Sequence, residues 1–164
     1  MNKQQLIERF KKSRPSIFTS ENDDILEECV NKYFSLPVNE DIDDKEVRRL
    51  CAVMTSFGYV TASSCVGHER KLPNIYFQDQ DKGHVGILIV DILGSDCFAP
   101  VNDKWEVINC EKEIECVPGE HWCPWDYLLR PQNADFSISE RYEKCVDDLD
   151  IIGVSLLLYN RLNI

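Results

Sequence analysis

Apolar residues recur at helical spacing three times in the first third of the chain. Leu6, Ile7 and Phe10 mark one face of a short amphipathic helix over residues 1–12, which "SRPS" ends. Ser20, with acidic Asp23 three places on, is placed to cap a second helix. Its stripe is Ile25, Leu26, Cys29, Val30, Tyr33 and Phe34. The polar run "LPVNEDID" connects it to a third helix from about Asp44, striped by Val47, Leu50, Cys51, Met54 and Phe57. Gly58 stands where a C-terminal glycine cap belongs.

The period then changes. "YVTASS" and "NIYFQ" are rich in β-branched and aromatic residues and predict two strands joined by more than a two-residue turn. "HVGILIVDIL" suits either a buried helix or a central strand, and its length and closing Gly94 favour the helix. "KWEVINC", "EIECV" and "YLLRP" predict three further strands, with "PGEHWCPW" as a loop between the last two. A final helix opens near Ser137 or Ser139, Ser137 and Glu140 forming a capping box. Its stripe runs through Tyr142, Cys145, Val146, Leu149, Ile152, Gly153, Leu156 and Leu157. Helices, then strands, then a long C-terminal helix predict an α+β fold: an antiparallel or mixed sheet packed by helices on one face. No repeat or linker divides residues 1–164, so a single domain is expected.

Composition narrows the partners. Eighteen basic and 29 acidic residues leave a net charge of −11, which opposes non-specific binding to nucleic-acid phosphates. A local basic pocket remains compatible with that total. There is no signal-peptide pattern and no apolar run long enough for a membrane span. Eight cysteines with no C-x-x-C pair then predict reduced thiols in a cytoplasmic protein. Oligomeric state and cofactor are not written in the composition.

The candidate chemistry lies where the first strand ends, in "SSCVGH". Regular alternation would put Thr61, Ser63 and Cys65 on one face, with Ala62 and Ser64 on the other. Small polar side chains leave room there, and Gly67 allows a positive φ. Successive N–H groups of Val66, Gly67 and His68 could cradle an anion, and Arg70 and Lys71 bring positive charge. Arg130 offers a planar fork for an anion, and Tyr76, Trp122 or Trp125 a stacking surface. The favoured reading is a site for a small anionic or nucleotide-like ligand formed by Ser63, Ser64, Cys65, Gly67, His68, Arg70, Lys71 and Arg130. A nucleophilic Cys65 with His68 as its base is an enzymatic alternative. A metal held by Cys65 and His68 with His121 and Cys123 is less favoured, because H-x-C is a poor chelating spacing. A protein-interaction adaptor with a purely structural hairpin is the third class. His84 and the paired acids Asp43–Asp44 and Asp147–Asp148 have bland readings, the first as a structural histidine and the acids as solvated helix faces.

"YVTASSCVGH" resembles the T-x-S-S-C-S-G signature of the tRNA wybutosine-synthesising methyltransferase family, with Ser63, Ser64, Cys65 and Gly67 as the matched positions. That resemblance implies S-adenosylmethionine as cofactor and a modified nucleoside as substrate. The stretch is also similar to an SC-x-GH … P-Y-I-x-F pattern of small bacterial and phage proteins. Here the pattern reads Ser64-Cys65-Val66-Gly67-His68, then Pro73-Asn74-Ile75-Tyr76-Phe77. It implies a site at the turn without naming its chemistry.

Overall fold

The computed structural model describes residues 1–13, 18–68, 71–79, 85–94, 98–109, 127–132 and 138–162. Of residues 62, 63, 79, 85–88, 138 and 139 it describes the backbone alone. Arg70, His84, His121, Trp122, Cys123, Trp125, Ser137 and the expected strand "EIECV" therefore lie outside the described residues, as does the Ser63 side chain.

Helix α1 spans Lys3–Lys12 and buries Leu6 and Phe10, the face its spacing predicts. The second helix starts later than Ser20 suggests. Ser20–Asn22 forms a 3₁₀ turn, and α2 runs Asp23–Ser35 behind it, burying Leu26, Cys29, Val30 and Tyr33. Short 3₁₀ turns are common at helix N-termini because they satisfy orphan backbone groups. Helix α3 spans Lys45–Ser56, and Gly58 follows it at φ +89°, a left-handed conformation suited to glycine. Strands β1 (Tyr59–Cys65) and β2 (Asn74–Asp79) come next, then helix α4 (Val85–Leu93). The ambiguous apolar run is thus helical. Strands β3 (Trp105–Asn109) and β4 (Tyr127–Pro131) and helix α5 (Ile138–Arg161) complete the described elements.

The strands form one antiparallel sheet in the order β1-β2-β4-β3. One face carries Tyr59, Ile75, Phe77, Trp105 and Leu129 into the main core, where α2, α3 and α5 also bury their stripes. Ile108 and Leu128, with Tyr76 beside them, form a small separate cluster. They alternate with the core-facing residues along β2, β3 and β4, as a pleated strand requires.

Helix α5 explains the cohesion of the core. Every residue from Ile151 to Leu158 is buried, so this stretch is enclosed on all sides. A Cβ at Gly153 would stand 2.4 Å from Cε2 of the fully buried Tyr33 ring, so glycine lets α2 and α5 approach here. The Tyr33 hydroxyl donates to Asp150 Oδ1 at 2.6 Å. Among the described residues no helix is long and apolar enough to cross a membrane.

Asp148 corrects the expectation of a solvated acidic face. Its neighbour Asp147 is half exposed, but Asp148 is fully buried. Its Oδ1 accepts the Asn102 N–H at 2.6 Å, and its Oδ2 accepts the Asp103 N–H and the Trp105 Nε1–H, both at 2.9 Å. Burial pushes this carboxyl up to about 6, against the pull of those three donors. Next to it Arg141 grips Asp103 at 2.7 and 2.9 Å. Burial would raise Asp103, but the Arg141 guanidinium and the Lys104 N–H outweigh it and hold the carboxyl below its ordinary value. The segment before β3 is thereby tied to α5.

Candidate functional site

The geometry of the site starts with an irregularity in β1. Thr61 pairs with Phe77, yet Ser64 pairs with Ile75 and Cys65 with Asn74, so the register shifts between Thr61 and Ser64. Such a bulge inserts a residue and reverses the alternation beyond it. Phe77 and Ile75 share the core-facing side of β2. Thr61 and Ser64 therefore face the core together, and both hydroxyls reach the buried thiol of Cys51 on α3. Cys65 turns to the other side. Regular alternation puts Cys65 with Thr61, and the bulge is why that expectation fails.

After Cys65 the chain makes a tight corner. Gly67 has φ +93° and His68 φ +50°. The Lys71 N–H donates to the Gly67 carbonyl at 3.2 Å, closing the turn. A Cβ at Gly67 would lie 1.8 Å from the Lys71 carbonyl oxygen, so no other residue fits this backbone. Histidine tolerates the left-handed region better than bulkier or β-branched residues do.

Asp44 reaches this corner from the start of α3. Its carboxylate does not cap its own helix. Instead Oδ2 accepts the Val66 N–H at 2.9 Å and Oδ1 lies 3.0 Å from His68 Nε2. The Asp44 side chain is 10% exposed and the His68 ring 66%. The Gly67 N–H donates to Cys65 Sγ at 3.2 Å. Asp44, Cys65 and one imidazole nitrogen of His68 place their donor atoms within 4.8 Å of one another. Two of the three N–H groups expected to cradle an anion are thus already bound within the protein, to Asp44 and to Cys65.

By sequence Asp44 belongs to a solvated helix start rather than to the turn. A signal was present in the element lengths. A 12-residue helix is about 18 Å long and a seven-residue strand about 23 Å. Joined by the tight reversal at Gly58, they bring the beginning of α3 level with the end of β1.

Two cavities meet at His68. One of about 630 Å³ is lined by Cys65, Gly67, His68 and Lys71. The other, about 400 Å³, is lined by Asp41, Asp43, Asp44, Thr61, Ser64 and His68, among others. Arg130 does not join them. It pairs across the strands with Glu106, Nε to Oε1 at 2.9 Å, and borders a third cavity of about 230 Å³ with Tyr76 and Lys71. Among the described residues Lys71 alone lines both that cavity and the one at Cys65. Of the expected ligand residues, the structure gathers Cys65, Gly67, His68 and Lys71 around one space and places Ser64 on the neighbouring one.

The thiols divide the same way. Cys29 and Cys145 are buried, and burial pushes them up to about 11 and about 12; burial also raises Cys51. Cys65 is half-buried and lines a cavity. Comparisons of the chain with protein-family models, curated proteins and solved structures returned no match.

Proposed function

We propose that this is a cytoplasmic binding protein for a small anionic or nucleotide-like ligand, held in the cavity at the Cys65–Lys71 corner. The observation that carries the reading is the cavity itself. Its volume of about 630 Å³ is of ligand size, and among the described residues it is lined by Cys65, Gly67, His68 and Lys71. Lys71 supplies the cation for an acidic group on the ligand.

The test is a titration of isotope-labelled protein with inorganic phosphate, adenosine monophosphate and S-adenosylmethionine, the last suggested by the methyltransferase-like signature. At least one should move the amide resonances of Cys65, Gly67, His68 and Lys71 and raise the melting temperature, since a ligand of the native state stabilises it. Lys71→Ala should weaken that binding about tenfold, the worth of one charge-assisted contact at a partly wet site. Absence of any response to all three at millimolar concentration would count against the reading.

One observation favours a second, enzymatic reading. His68 Nε2 sits against Asp44 while Cys65 faces a cavity, the residue types of a nucleophile, a base and an orienting carboxylate. Under that reading iodoacetamide should alkylate Cys65 at least ~100-fold faster than Cys145, whose thiolate at pH 8 is about one part in ten thousand. His68→Asn should slow the Cys65 reaction. Equal rates in the variant and the parent would remove His68 from any such role.

A further inference from the structure

We infer that Asp44, Cys65 and His68 form a binding site for a divalent transition-metal ion of the zinc type, supplying three ligands among the described residues. The inference does not depend on the ligand proposed above.

The donor set carries the argument. One carboxylate oxygen, one thiolate sulfur and one imidazole nitrogen are the three donor types that zinc takes from proteins. In tetrahedral zinc, bonds of about 2.0 to 2.3 Å put the donor atoms about 3.3 to 3.8 Å apart. Here all three lie within 4.8 Å of one another before any ion draws them in, and Asp44 and His68 are already at 3.0 Å. The remaining difference of about 1 Å is within the reach of side-chain rotation.

The surroundings are arranged as an outer shell would be. The Val66 N–H holds Asp44 Oδ2, which fixes the carboxylate and leaves Oδ1 to turn toward the ion. The Gly67 N–H donates to Cys65 Sγ, which fixes the sulfur beside the carboxylate. The left-handed conformations of Gly67 and His68 fold the C-x-x-H segment back on itself, so that both ends present donors to one point. Asp41 and Asp43 line the cavity beside Asp44 and add negative potential for a cation. Lys71, which lines the other cavity, opposes it.

Among the described residues three ligands are offered, and three protein ligands with a fourth position open is the pattern of a site that takes water or a substrate atom. His68 borders both larger cavities, so that position is reachable from solvent.

The test uses the full chain, stripped with chelator under a phosphine reductant and titrated with cobalt(II). One cobalt per chain should bind and produce thiolate-to-cobalt charge-transfer absorption, and zinc should displace it. Cys65→Ser should abolish that absorption. His68→Asn and Asp44→Asn should each weaken binding at least ~10-fold. Asparagine suits the left-handed backbone at 68 and keeps an acceptor for Val66 at 44, so both variants should retain the parent circular dichroism. No charge-transfer absorption in the parent protein would overturn the inference. So would absorption that survives in Cys65→Ser, which would assign the metal to other thiols, or unchanged affinity in His68→Asn.

Discussion

Two aspartates in this protein hold distant backbone in place, and they are finished differently. Asp148 is fully buried, and both its oxygens are occupied by N–H donors from residues 102, 103 and 105. Asp44 accepts one N–H, from Val66, and turns its other oxygen to an exposed imidazole beside a half-buried thiol and two cavities. The first arrangement is closed, because every polar atom has a fixed partner and nothing is left to meet a ligand. The second keeps groups whose hydrogen-bonding and coordinating capacity faces open space. A carboxylate that bridges chain segments is therefore not in itself a sign of function. The partners it leaves available decide between fastening and binding.

The largest expected effect comes from cutting the closed knot. Asp148→Ala leaves the buried Trp105 Nε1–H and the part-buried N–H groups of residues 102 and 103 without their acceptor, and a void behind them. Each unsatisfied buried donor costs about 1 to 3 kcal/mol, so a loss of about 4 kcal/mol or more is expected, read from urea melts. Asp44→Ala should lose only about 1 to 2 kcal/mol, because it frees a single part-buried N–H, that of Val66, while the exposed His68 ring can turn to water. Equal losses would mean that the corner at Cys65 is as structural as the knot, and the contrast would collapse.

The second effect is a pH dependence of unusual sign. Asp148 has its native carboxyl raised to about 6, against about 3.9 in an unfolded chain. Between those values the native state holds the proton and the unfolded state does not. Stability from this group therefore rises as pH falls from about 6 to about 4, and is lost again as pH rises. The span of about two units corresponds to about 3 kcal/mol. Asp103, lowered in the native state, acts oppositely: its stabilisation is present above the unfolded value and is lost on further acidification. Asp148→Asn has no proton to bind. The stability of the parent protein relative to this variant should grow by up to about 3 kcal/mol between pH 6.5 and pH 4. A constant difference would show that the three donors cancel the effect of burial.

The sequence made the helices and most strands legible because their periods are set by which residues must leave water. Leu6 with Phe10 and Val47 with Leu50 and Met54 needed only their spacing. Residues 85–93 are helical, as the length of the apolar run favoured. Cys65, Gly67, His68 and Lys71 were also visible, as unusual residue types gathered in one turn. What stayed hidden depends on tertiary register. A one-residue bulge decides which way Cys65 faces, and pattern alone counts residues without seeing a shift. Asp44 and Asp148 looked alike as one half of an acidic pair at or on a helix. Their difference arises from segments more than 20 positions away, Val66 for one and residues 102–105 for the other. Arg130 looked like an anion fork, but the cross-strand register sets it opposite Glu106.

The smallest effect separates the two carboxylates most sharply. Exchanging one oxygen for an amide is nearly isosteric, so Asp→Asn changes charge and one acceptor while leaving packing alone. At Asp148 both oxygens already accept, so an NH₂ must face a donor N–H, and a loss of about 2 kcal/mol is expected. At Asp44 the amide carbonyl can turn to Val66 and the NH₂ to the open side toward His68. The imidazole can then meet it as an acceptor, so the loss should be below about 0.5 kcal/mol. Differential urea melts of the two variants at pH 7 measure this directly. A small loss at Asp44, together with loss of metal from the same variant, would separate its structural duty from its chemical one. The negative charge would then belong to the ion that the corner holds, while Val66 needs only an oxygen.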